Sequence, residues 1–282
     1  MKKTLLVVIL AIFMPKVNIQ AQIIINFNSK KYIPCEITFD DNTVVSGFIK
    51  DFRLPKTIEI TGYELSTIES ELNLDRSKFK FKSTQDSKAE DLTLSDIKYI
   101  TLIEEDGQVK YEKLHLKTIN SKSEVVDLKR EVMVPLLREG SINLYGLQVY
   151  ECSGGCIMLW ILAYIKHPDS EYAYIPIDYN GLNLFNVGKL QEKIFRSFEE
   201  VGKDCEDFAN YMKELSQTKM SKDEKKEAKE EYRAFQKKLK DELKSVKGAK
   251  NKRQLEDDLY TEYFLGKYIK VIDEYDNRCG KS

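Results

Sequence analysis

Five cysteines and two histidines are the residues of this 282-residue chain best suited to nucleophilic, redox or metal chemistry. Cys152 and Cys156 flank Ser153-Gly154-Gly155. The spacing is not Cys-x-x-Cys, and no helix start follows to lower a thiol pKa, which argues against a reactive redox pair. A disulfide across the mouth of a hairpin is favoured, although so short a loop restrains the unfolded chain only modestly. Two reduced or differently paired thiols are the alternative. Cys205 and Cys279 stand in two different helical segments. A bridge between them would tie down the last helix and close a long loop, a constraint of several kcal/mol in the chain-entropy picture. This pairing is favoured, with Cys35 left over, but positions alone do not dictate connectivity.

Metal chemistry needs ligands paired at short spacing, and neither His115 nor His167 has a second ligand beside it. His115 falls on a strand with Val109 and Tyr111 on the same face, and His167 precedes Pro168 in a turn. Packed or rim roles are expected for both, and no metal or cofactor is expected. The chain has no Gly-x-Ser-x-Gly, no His-Glu-x-x-His and no Gly-rich phosphate loop. Its acidic clusters, Glu104-Glu105-Asp106 and Glu256-Asp257-Asp258, read as solvated faces. Tyr145, Tyr150, Tyr164, Tyr172, Tyr174 and Tyr179 crowd the last strands. Tyrosine suits sugar- or peptide-binding surfaces, but half-buried strand positions are the plainer expectation. No catalytic residue is assigned.

The elements that would position these residues change character along the chain. From about Ile23 to Ile177 the pattern is extended. Ile33, Cys35, Ile37 and Phe39 alternate with more polar positions, as do Phe79 and Phe81, the period of a half-buried strand. Asp106-Gly107 predicts a hairpin between strands at 97–104 and 108–116. Separate strands are predicted at 124–129, 132–137 and 142–150. The apolar run Cys156–Ile165 is too short to span a bilayer and is predicted to be the return strand of a hairpin with 142–151. From about Asn186 the period becomes helical. Ile194, Phe198, Val201, Cys205, Phe208, Met212 and Leu215 recur at spacings of four and three, with Gly202 and Asp204 as a place to split two helices and Asp204 as the N-cap.

Lys219–Arg253 is a charged helix with one narrow apolar stripe through Tyr232, Phe235, Leu239 and Leu243. Its i,i+4 pairs predict a solvated helix, and its stripe is the candidate partner surface. A third pattern runs through Leu255, Leu259, Tyr263, Tyr268, Val271 or Ile272, and Tyr275.

The chain opens with Lys2 and Lys3, an apolar run from Leu5 to Met14, and Ile19-Gln20-Ala21. That order of charge, apolar core and small residue is that of a secretory signal peptide. Met1–Ala21 is therefore expected to be removed. Formal net charge is −1, and loss of Lys2, Lys3 and Lys16 would leave about −4, which argues against a nucleic-acid binder.

Short motifs carry a resemblance: Val45-Ser46-Gly47-Phe48-Ile49, Ser95-Asp96-Ile97-Lys98-Tyr99, Gly140-Ser141-Ile142-Asn143-Leu144-Tyr145, Asp204-Cys205 and Tyr275-Asp276-Asn277-Arg278-Cys279. In these the chain resembles a loose group of exported proteins of Bacteroidota-type bacteria. The resemblance implies a β-rich body with a small helical end and brings no activity; the charged helix departs from it as an insertion.

The expected fold is α+β: an antiparallel β-rich body over 22–180, sandwich or open barrel, then a helical subdomain over 186–282. The expected role is that of an exported, non-enzymatic envelope protein with an envelope protein as partner, no nucleic acid and no transmembrane span after the leader. The mature chain is expected in the periplasm, at the outer membrane or secreted. A hydrolase acting on envelope polysaccharide or peptide, or a ligand-binding barrel lined by Ile157–Ile165, are the alternatives.

Overall fold

The computed structural model describes residues 22–27, 32–50, 55–61, 78–104, 107–152, 156–177, 187–218 and 221–280. The proposed leader, Tyr179 and the Ser153-Gly154-Gly155 turn lie outside them, as do the side chains of Tyr150, Cys152 and Cys156. The strands are β1 (Gln22–Phe27), β2 (Ile33–Phe39), β3 (Val44–Lys50), β4 (Pro55–Thr61), β5 (Lys78–Lys82), β6 (Glu90–Thr93), β7 (Ile97–Glu104), β8 (Gly107–Ile119), β9 (Val125–Arg138), β10 (Asn143–Cys152), β11 (Cys156–Lys166) and β12 (Tyr172–Tyr174). Four helices follow: α1 (Val187–Val201), α2 (Glu206–Gln217), α3 (Lys222–Ser245) and α4 (Ala249–Cys279). The α+β reading holds, and the barrel is closed.

Strands β8, β9, β10, β11 and β12 form a ring. Antiparallel pairs run from β8 round to β12, and a parallel pair, Tyr172–Tyr174 on His115–Lys117, shuts it. Two strands are long enough to change partner along their length. β8 pairs β7 through Gly107–Glu112 and then β12 through His115–Lys117. β10 pairs β9 at Leu144 and Tyr145 and then β4, in parallel, from Gln148 to Glu151. The ring therefore opens into two wings, β7-β2-β3-β5-β6 on one side and β4-β1 on the other.

Alternation along each strand separates the cores. Leu114, Leu116, Val132, Val134, Tyr145, Leu147, Leu162, Tyr164, Ala173 and Ile175 fill the barrel. Their sequence neighbours Leu144, Ala163, Ile165 and Tyr174 point to the other face, as a period of two requires. The larger wing has its own core around Ile37, Phe79, Phe81, Ile97 and Ile100, to which β8 adds Tyr111. The segment expected as two strands at 124–129 and 132–137 is one strand, β9, bent by a register shift opposite His115 and Lys117. There Lys129 takes φ 47° and its amide donates to Asp127 Oδ1 at 2.7 Å.

The helices cover the outside of the ring. Ile194, Phe195, Phe198 and Val201 of α1, Phe208 and Met212 of α2, and Tyr268, Val271, Ile272 and Tyr275 of α4 share one core with Ile142, Leu144, Ala163 and Ile165. Burying each large apolar side chain stabilises by about 1.5–3 kcal/mol, so this layer is an integral part of the body. The split between α1 and α2 falls at Gly202 as expected, but the residue at the N-cap position is Cys205, not Asp204. The charged segment ends its helix at Ser245 instead of running to Arg253. Gly248, at φ 90°, turns the chain, and α4 returns as the second arm of a hairpin.

Candidate functional site

The cysteines of the helical layer meet. Cys205, before α2, and Cys279, at the end of α4, form a disulfide with Cα atoms 5.8 Å apart across 74 residues. Arg278 lies beside it, with its guanidinium 3.9 Å over the Tyr211 ring and Nη1 donating to Asp207 at 3.1 Å. Cys35 is a free, buried thiol in the larger wing, pushed up to about 12 by burial. Cys152 and Cys156 face each other in register where β10 ends and β11 begins. Whether their sulfurs join lies outside the described residues.

A cleft of about 250 Å³ opens between the β11–β12 turn and the α1–α2 junction, lined by Lys117, His167, Tyr172, Tyr174, Glu200 and Asp204 among others. Lys117 Nζ sits 3.5 Å above the Tyr172 ring. His167 Nδ1 accepts from the Asp169 amide at 3.3 Å, and its ring meets Tyr275 edge-on. Burial, then the neighbouring Glu200 carboxylate, pushes the Tyr174 hydroxyl up to about 12, with Arg196 opposing. These contacts hold the ring of the imidazole and the tyrosines in place. They do not set a nucleophile against a base in the manner that covalent catalysis requires. His115, half exposed, meets the cleft-lining Tyr172 edge-on at 6.4 Å and pairs with Glu131 at 2.9 Å. Among the described residues no group of three or more His, Cys, Asp or Glu could hold a metal ion.

A polar cluster that the sequence reading missed closes one end of the barrel. Glu112 is buried, accepting from Tyr145 Oη at 2.5 Å and from Lys166 Nζ at 2.5 Å. Asn143 Nδ2 donates to Tyr145 Oη at 3.2 Å, and Asn143 Oδ1 accepts from the Gly140 amide at 3.0 Å. Burial, then the Glu112 charge, drives the Tyr145 hydroxyl far above the ordinary tyrosine range. Each buried polar atom here has a partner, which is what a buried ion pair needs. The signal was present in the alternation: Glu112 and Lys166 occupy inward positions of strands whose other inward residues are leucine and tyrosine. With Tyr145 and Tyr164 fully buried, the tyrosines of that set whose described side chains line the cleft are Tyr172 and Tyr174; Tyr179 and the side chain of Tyr150 lie outside the described residues. Leu162 and Tyr164 are packed into the barrel core, and the side chains of Ile157–Ile161 lie outside the described residues.

The charged hairpin is organised differently from the expectation. Phe235 and Leu239 of α3 are buried against Leu259 of α4, with Tyr232, Leu243, Leu255, Tyr260 and Tyr263 around them. The Phe235 and Tyr263 rings stack at 4.2 Å. Buried Lys267 of α4 bonds Glu231 of α3. Burial lowers the Lys267 pKa while Glu231 opposes the shift. The stripe offered as a partner surface is therefore covered by the chain's own last helix, because α4 supplies the aromatic face that this stripe needs. Among the described side chains, what α3 leaves exposed is mostly charged. Gln148 Nε2 on Thr261 at 2.9 Å and Arg138 on Asp273 at 2.8 Å fasten α4 to the barrel in turn.

No helix of the described residues is long and apolar enough to cross a membrane. Compared with protein-family models, curated proteins and solved structures, the chain finds no match.

Proposed function

We propose that this chain is an exported, non-enzymatic protein of the cell envelope that acts as a contact module, with the exposed face of α3 as its contacting element. The observation that carries the reading is the layering of the hairpin. The barrel holds α4, α4 takes up the apolar side of α3, and the remaining face of α3 is left exposed and densely charged. A helix held this firmly, contributing nothing to the barrel core, suits presentation to something outside the molecule. The Leu5–Met14 leader pattern and the Cys205–Cys279 bridge support export, since such bridges persist in oxidising compartments.

Site-specific photo-crosslinking in intact cells tests it. A photoreactive residue at Lys240, on the exposed face of α3, is expected to give a discrete adduct with an envelope component. The same residue at Lys88, in the turn between β5 and β6, is expected to give none. Equal labelling at both positions, or adducts with cytoplasmic components alone, would overturn the reading.

A further inference from the structure

At 100° per residue, α3 divides into three sectors. Tyr232, Phe235, Leu239 and Leu243 form the sector packed on α4. Exposed Asp223, Glu227, Glu230 and Asp241 form a second. The third is basic without interruption: Lys226, Lys229, Arg233, Lys237, Lys240 and Lys244 follow at spacings of three and four, all exposed. Lys247 follows them, exposed, in the turn. A helix built only to be soluble would interleave its charges, because like charges at i,i+3 and i,i+4 repel and opposite ones attract. Here like charges stack along one edge over about 27 Å. Among the described residues their counter-charges are peripheral: Glu230 at 3.9 Å from Lys226, and Asp241 at 2.9 Å from Lys244. Lys237, Lys240 and Lys244 surround Asp241 closely enough to lower its pKa, with the Lys244 contacts first in weight.

We infer that this basic edge docks α3 lengthwise on an anionic phospholipid surface. The inference names the partner of the contact face proposed above and rests on that reading. Three features select a lipid surface. The edge is straight, and a plane of phosphate headgroups accepts a straight row of cations without shape matching. It has no apolar or aromatic anchor, which the centre of a protein–protein interface requires. The charge is local on a chain of net charge −1, so it acts at contact range, within a screening length of about 8 Å, whereas nucleic-acid binders carry a general basic excess.

The test is co-sedimentation of the chain lacking its leader with phosphatidylcholine vesicles, with and without phosphatidylglycerol. Binding is expected only where phosphatidylglycerol is present, and raised salt is expected to weaken it. The triple variant K237Q/K240Q/K244Q removes no packed side chain and is expected to lose affinity by at least about 100-fold, given what each basic residue contributes near an anionic bilayer. The variant K88Q/K122Q/K213Q carries the same change in net charge at exposed positions elsewhere and is expected to bind nearly as the parent does. Circular dichroism confirms folding of both. Indifference to phosphatidylglycerol, or equal loss in the two variants, would overturn the inference. So would a dimer formed without vesicles and broken only by the α3 variant, or α3-dependent binding of duplex DNA in place of vesicles. If vesicles are ignored while Lys240 still crosslinks to an envelope protein in cells, the contact reading survives and the lipid assignment fails.

Discussion

Breaking the Cys205–Cys279 bridge is the perturbation whose size follows most directly from the structure. The bridge spans 74 residues, a loop that holds α2, α3 and nearly all of α4. In the chain-entropy relation, closing a loop of that length restrains the unfolded ensemble by about 4 kcal/mol at 25 °C. The native side loses little in the variant C205S/C279S. Phe208 still meets Tyr275 edge-on at 5.0 Å, Arg278 still reaches Asp207, and Val271 and Ile272 stay in the shared core. The loss thus arises in the unfolded state. Two observables follow in urea unfolding of residues 22–282. The midpoint falls, and the dependence on urea steepens because the open unfolded chain exposes more surface. On heating, about 4 kcal/mol corresponds to a drop of about 10 °C for a chain of this size. A change below about 1 kcal/mol with unchanged steepness would refute the reasoning, since it would mean that α4 is held by packing alone.

The barrel-end cluster gives a coupled prediction. Glu112→Leu strands the Lys166 ammonium, and Lys166→Met strands the Glu112 carboxylate, so each single change is expected to cost about 3–5 kcal/mol, and the double variant less than either; additive losses in a double-mutant cycle would contradict it. Gly202 sits where an added Cβ would lie 2.4 Å from the Phe208 ring and 3.0 Å from Tyr275. Gly202→Ala is therefore expected to destabilise by about 1–3 kcal/mol, read from the urea midpoint. The Cys35 thiol is raised from 9.0 to about 12 in the fold, so the native state keeps a proton that the unfolded chain releases near pH 9. Its contribution is present below pH 9 and is lost as pH rises from 9 toward about 12. Cys35→Val is expected to flatten that alkaline decline, measured as midpoint against pH, and Cys35 is expected to resist alkylation until the chain unfolds.

Much of this was legible in local pattern. The β10–β11 hairpin, with Asn143 opposite Lys166 and Cys152 opposite Cys156, follows from two apolar runs around a Ser-Gly-Gly turn. The split at Gly202 follows from a helical stripe interrupted by a residue with no side chain. What stayed hidden depends on contacts distant in sequence. Nothing local to Tyr172–Tyr174 says that three residues will run parallel to His115–Lys117 and close a ring. The positive φ at Lys129 made one long strand read as two. In the charged segment, the turn at Gly248 was submerged in lysines. The aromatic partners of Phe235 and Leu239 lie beyond that turn, so a covered stripe read as an open one. Glu112 and the basic edge of α3 were readable, the first as a charge on an inward position, the second as like charges at helical spacing. Both were passed over because charged residues were read as solvent-facing.

The proposed role requires that this chain work outside the cytoplasm with its helical layer covalently closed. The direct measurement is intact mass and peptide mapping of the protein recovered from its own cells after rapid thiol trapping. The expected result is a chain beginning at Gln22, recovered with the envelope or medium, in which Cys205 and Cys279 are joined. A full-length chain retaining Met1–Ala21 in the cytoplasmic fraction, with Cys205 and Cys279 both trapped as thiols, would contradict it.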